Sequence, residues 1–129
     1  MKLIYLASPY LYRGPDADET FYIDTHATKG EVIAELRYES AIDATAYLMK
    51  KGLAVYSPIV ATHPVAVKHE LPKGSEYWLQ FDEIILSKCD EIVVLMIDGW
   101  KESPGVQREI EIMKQLHKDI TYLDPEDIK

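Results

Sequence analysis

The stretch that most constrains the fold is Ile92-Val93-Val94-Leu95-Met96-Ile97, followed by Asp98-Gly99-Trp100-Lys101-Glu102-Ser103-Pro104-Gly105 and then Val106-Gln107-Arg108-Glu109. Six consecutive apolar residues suit a strand covered on both faces, which is the environment of a parallel sheet. Ser103 is a good helix N-cap, and Pro104 then occupies the first helical position, where proline is favoured. Glu109 falls in the second turn, with its Cα–Cβ bond tilted back toward the helix N-terminus. The carboxylate therefore leans toward a loop at the carboxyl end of a strand, where ligands bind in open α/β sheets.

The rest of the chain repeats this alternation. Leu3-Ile4-Tyr5-Leu6-Ala7 reads as a first, central strand ended by Ser8-Pro9. Tyr10 to Gly30 reads as an extended loop, with local structure around Phe21-Tyr22-Ile23. Glu31 to Lys51 is predicted to be a long helix. Val32, Leu36, Ser40, Asp43 and Tyr47 line one row of it, and Ile33, Ala41, Ala44 and Leu48 the next. Gly52 is its expected stop. Leu53 to Tyr56 follows as a strand ended by Ser57-Pro58, and Ile59 to Gly74 reads as an irregular connection. Ser75 is expected to cap a helix running to about Lys88, with Trp78, Phe81, Ile85 and Cys89 on one face and Asp82 among them. The helix from Pro104 to about His117 turns Val106, Ile110, Met113 and His117 to the core, and Ile120 to Leu123 is the last strand. This alternation predicts an α/β three-layer sandwich. Its four- or five-stranded parallel sheet has helices on both faces and a flavodoxin-like strand order.

Composition bounds the function. A chain of 129 residues with 47% hydrophobic content is expected to be one domain, 1–129, with a real core. The net charge of −8 argues against a nucleic acid polymer, which needs a basic face, but a helix terminus can still hold a small anion. A single cysteine, Cys89, fits a reducing compartment and reads as a packed thiol. No signal peptide or apolar span near membrane length is evident, so a cytoplasmic protein without a membrane partner is expected.

Three groups of residues are candidates for chemistry. Tyr5, Ser8 and Pro9 lie at or beyond the end of the first strand, Asp98 to Gly105 follow the third strand, and Asp82 looks in from the preceding helix. Glu109 and Asp82 would pair two carboxylates at one pocket, an arrangement that serves glycosyl chemistry. Taken alone, Glu109 also reads as a solvated helix residue and Asp82 as a structural carboxylate. Ser103-Pro104-Gly105 suits an anion or is simply a well-made cap. Arg13 either reaches that anion from its loop or is solvated, and Trp100 beside Gly99 either walls a pocket for a flat ring or packs on the surface. His63 joins the expected substrate-binding set. His63 and His69 have no evident third ligand, so no metal and no cofactor are expected.

Tyr5-Leu6-Ala7-Ser8-Pro9-Tyr10, Phe81 to Asp90 and Gly99 to Glu109 together resemble the DUF1937 family. That family is similar to a branch of the nucleoside 2-deoxyribosyltransferase-like superfamily. The resemblance covers nearly the whole chain, with a loop insertion at about 12–31. It implies that Glu109 attacks the anomeric carbon of a deoxyribose, that Asp82 steers the nucleophile or assists protonation, and that Tyr5 holds the glutamate. The expected substrate-binding set is Ser8, Pro9, Arg13, His63, Asp98, Gly99, Trp100, Ser103 and Gly105. In relatives that act on free nucleosides an aspartate stands where Ser103 is, whereas the 5′-monophosphate N-hydrolases have a serine there. Ser103 therefore points to a (deoxy)nucleoside 5′-monophosphate. The activity so implied is N-glycosidic cleavage; the alternatives are base transfer by a nucleoside 2-deoxyribosyltransferase and a catalytically silent nucleotide-binding or sensing protein. The resemblance also implies a homodimer or homotetramer.

Overall fold

The computed structural model describes residues 1–20, 27–71 and 75–128. Four parallel strands form one sheet: β1 (Leu3–Ala7), β2 (Ala54–Tyr56), β3 (Glu91–Leu95) and β4 (Asp119–Leu123), in the order β2-β1-β3-β4. Tyr5 stands opposite Tyr56 on one side and Ile92 on the other. The helices are α1 (Lys29–Lys50), α2 (Pro58–His69), α3 (Ser75–Lys88) and α4 (Pro104–Gln115), and a short 3-10 turn covers Pro125–Asp127.

Strand periodicity builds the layers. Tyr5, Ala7, Ile92 and Val94 face Leu86 and Cys89, at and just after the end of α3, and Val106, Ile110 and Met113 of α4. Ile4, Leu6, Val93 and Leu95 face the opposite way, onto Ala44 and Leu48 of α1. Both central strands are thus buried on both faces, which is why their sequences are unbroken apolar runs. Each fully buried Leu or Ile side chain stabilises this core by roughly 1.5–3 kcal/mol. The flavodoxin-like order with β1 central matches the sequence reading. Chain direction across the sheet reverses between β1 and β3, leaving a crevice beyond their carboxyl ends.

Several local expectations are corrected. Residues 58–69 form a helix, not an irregular connection. The Ser57 hydroxyl caps it by accepting from Val60 N–H at 3.2 Å, and Pro58 opens it. Pro64 lies inside this helix and is tolerated on its exposed side. α1 begins at Lys29, earlier than expected, because Thr28 and Glu31 form a reciprocal capping box. Its buried line is Ala34, Ala41, Ala44, Thr45 and Leu48, whereas Leu36 is exposed. α3 begins at Ser75 itself, and Leu86 rather than Phe81 is its buried anchor. His117 lies beyond α4, exposed, with a left-handed backbone (φ 56°). The Tyr10–Gly30 connection holds a turn in which Ala17 N–H donates to Gly14 O, and an antiparallel bridge joins Thr20 and Thr28. Phe21-Tyr22-Ile23 lies outside the described residues. No described helix is long and apolar enough to cross a membrane.

Candidate active site

A cavity of about 130 Å³ opens in the crevice beyond β1 and β3, a size on the order of one that holds an aromatic ring. Four segments wall it. The loop after β1 supplies Ser8, Tyr10, Leu11 and Arg13. α2 supplies Ile59, Thr62, His63 and Ala66, α3 supplies Trp78, Leu79 and Asp82, and the start of α4 runs from Ser103 to Glu109.

Glu109 lies at the base of the cavity. α4 turns Val106, Ile110 and Met113 into the core, and Glu109 sits beside that row, buried, with its side chain tilted back toward the cap. Its Oε2 accepts a hydrogen bond from the hydroxyl of Tyr5, a fully buried residue of β1. Burial pushes the Glu109 carboxyl up to about 8. The Tyr5 hydrogen bond pulls the other way, and the nearby Asp82 charge pushes it up further. Burial likewise raises Asp82 to about 7. Burial, with Glu109 and Asp82 next, drives the Tyr5 phenol far above its ordinary value, so it remains a proton donor. Tyr56 leans on Tyr5 with ring centroids 6.0 Å apart, and burial and Asp82 hold its phenol up at about 12.

Two polar atoms among the described residues are buried without a hydrogen-bond partner, Ser8 Oγ and Asp82 Oδ1, and both residues line this cavity. Buried polar groups are nearly always paired, so two exceptions in one cavity set this place apart. At the α4 end, the Ser103 hydroxyl accepts from Val106 N–H at 3.3 Å. Its own proton remains available to donate. The Gly105 N–H has no acceptor within the helix to reach. This end of the cavity therefore presents donors and the positive pole of a helix, and the exposed Arg13 lines the same cavity.

The expected site residues divide. Glu109, Asp82, Ser8, Arg13, His63, Ser103 and Gly105 line the cavity, and Tyr5 reaches it through Glu109. Pro9 is packed out of the cavity wall. Asp98 and Gly99 lie away from it: Arg37 of α1 donates to Asp98 O at 3.2 Å and to Leu11 O at 2.9 Å, tying the loops after β3 and β1 together. Trp100 packs on Tyr122 of β4, with ring centroids 5.6 Å apart. Sequence reasoning missed Tyr10, Thr62, Ile59, Ala66 and Leu79. Most of these follow from missing α2, although Ser57-Pro58 carries the same cap signature as Ser103-Pro104. Among the described residues, no group of three His, Cys, Asp or Glu side chains is placed to hold a metal ion.

Fold and site together define a small parallel α/β domain with a carboxylate-bearing pocket at its switch point. Residues 2–124 match the family described as Domain of unknown function (DUF1937), and the chain belongs to that family. No curated protein matches the chain.

Proposed function

We propose that the protein is a nucleotide N-glycosidase of the nucleoside 2-deoxyribosyltransferase-like superfamily, acting on a (deoxy)nucleoside 5′-monophosphate. The observation that supports this most is the buried Glu109 carboxyl, held by the Tyr5 hydroxyl at the base of a cavity with Asp82 beside it. In this reading a Glu109 carboxylate oxygen attacks C1′ as the C1′–N bond breaks. The base leaves with the bonding electrons and takes a proton from Asp82, whose raised value suits a general acid near neutral pH. Water then attacks C1′ of the glycosyl ester, gives a proton to Asp82 and frees Glu109. Positive charge developing on the sugar favours the ionised form of Glu109 at the moment it is needed. Ser103, the Gly105 N–H and Arg13 would hold the phosphate.

A second reading, a protein that binds the nucleotide without turnover, draws on the position of Glu109 near 8. Much of the group is then protonated at neutral pH, and a protonated carboxyl is a poor nucleophile. Chromatography of free base, from a panel of nucleosides and 5′-monophosphates with and without acceptor base, separates the readings. Base released from monophosphates alone supports the first. New nucleosides formed only with acceptor base indicate transfer. Binding without product supports the second.

A further inference from the structure

His63 is buried on α2, yet neither the nucleophile nor the phosphate end of the cavity uses it. Its Nε2 lies 2.8 Å from Glu35 Oε2 of α1, and its Nδ1 meets the hydroxyl of Tyr10. The ring of Tyr38 packs over it, with centroids 4.4 Å apart. With the ring neutral, these contacts fix the direction of the chain. A carboxylate only accepts, so Glu35 requires Nε2–H. Neutral imidazole then leaves Nδ1 as an acceptor, and the Tyr10 O–H must donate to it. With the proton of Tyr10 committed to His63, what its hydroxyl can offer the cavity that Tyr10 lines is an oxygen lone pair. Burial, with the Glu35 charge next, holds the Tyr10 phenol at about 12, so it stays neutral across the working range of pH.

The place of this oxygen says what it meets. The phosphate donors are at the α4 cap, whereas Ile59 and Ala66 of α2 and Trp78 and Leu79 of α3 make a largely apolar wall suited to a flat ring. Tyr10 is bonded to that α2 wall. We propose that the Glu35–His63–Tyr10 chain makes the Tyr10 hydroxyl oxygen a fixed hydrogen-bond acceptor at the base end of the cavity, so that the site selects nucleotides whose base carries an exocyclic amino group. This rests on the nucleotide reading above.

The test compares 2′-deoxyadenosine 5′-monophosphate with the purine analogue that has hydrogen in place of the amino group, by calorimetric titration of the full chain. The amino compound should bind roughly fivefold more tightly, the worth of one neutral hydrogen bond. Tyr10→Phe should abolish the difference between the two nucleotides. Glu35→Gln, a change at an exposed position that frees the imidazole tautomer, should reduce it. Nitrogen-15 spectra of the free protein should find the His63 ring as the Nε2–H tautomer. Equal binding of the two nucleotides, a preference that survives Tyr10→Phe, or an Nδ1–H tautomer would each overturn the proposal while leaving the nucleotide reading intact. If no monophosphate binds, the nucleotide reading itself fails and the base preference with it.

Discussion

The hydroxyl of Tyr5 donates to Oε2 of Glu109 across 104 positions of sequence, from the central strand β1 to helix α4. That bond favours the charged form of Glu109, against burial and the Asp82 charge.

Tyr5→Phe keeps the ring in the core and removes only the donor. Glu109 then shifts further upward, so less of it is ionised at neutral pH. The expected result is a loss in kcat/KM of about 10- to 100-fold, with the upper apparent value of the coupled carboxyl pair moved to higher pH. A pH profile with both apparent values unchanged would show that Tyr5 does not act through Glu109.

The raised carboxyls also predict how stability depends on pH. The folded values of Glu109 (about 8) and Asp82 (about 7) lie above their ordinary ones. Between the two sets of values the native state holds more protons than the unfolded chain, so these groups make stability fall as pH rises, levelling off above about 8. Glu109→Gln removes its share. The variant should melt about 4 °C or more above the wild type at alkaline pH, with the gap closing toward about pH 4. A constant gap across pH would contradict the raised carboxyl.

Asp82→Asn tests the proton donor. If Asp82 supplies the proton to the leaving base, wild-type kcat/KM falls as pH rises through the upper apparent value of the coupled pair. The Asn variant should lose that alkaline limb and about 100-fold in rate. A substrate whose base is already a good leaving group should recover most of the loss.

Ser103→Asp preserves the cap, since aspartate is as good an N-cap as serine. It places a negative charge where the phosphate is proposed to bind. Affinity for a 5′-monophosphate should fall by about tenfold or more, with the affinity for the matching nucleoside unchanged, as read by calorimetric titration.

The parts of this molecule readable in one dimension are those with local causes. The apolar run of β3 and the Ser103-Pro104 cap specify strand, loop and helix through neighbours a few residues apart. The same local signal stands at Ser57-Pro58, but the cost of Pro64 within the segment depends on whether its missing N–H falls on the exposed side of α2, and only the packed structure decides that. Arg37 and Glu35 gave no sequence signal, because their partners Leu11, Asp98 and His63 lie 26, 61 and 28 positions away. Gly99 follows from Arg37: with φ at +95° and a Cβ that would come 2.4 Å from the guanidinium, it serves the clamp between the loops and does not line the pocket. That Glu109 and Asp82 face one cavity follows from two carboxylates on successive helices, but their raised values come from burial in the assembled core.

The most direct measurement of the central claim is the intact mass of the protein during incubation with a 2′-deoxy-2′-fluoroarabinonucleoside 5′-monophosphate. Fluorine at C2′ destabilises the oxocarbenium-like state and slows turnover of a glycosyl ester. The account predicts a mass increase equal to the fluorosugar phosphate, located on the peptide that carries Glu109 and absent from Glu109→Gln. Base released by the wild type with the sugar on no residue or on another residue, or released as fast by Glu109→Gln, would contradict it.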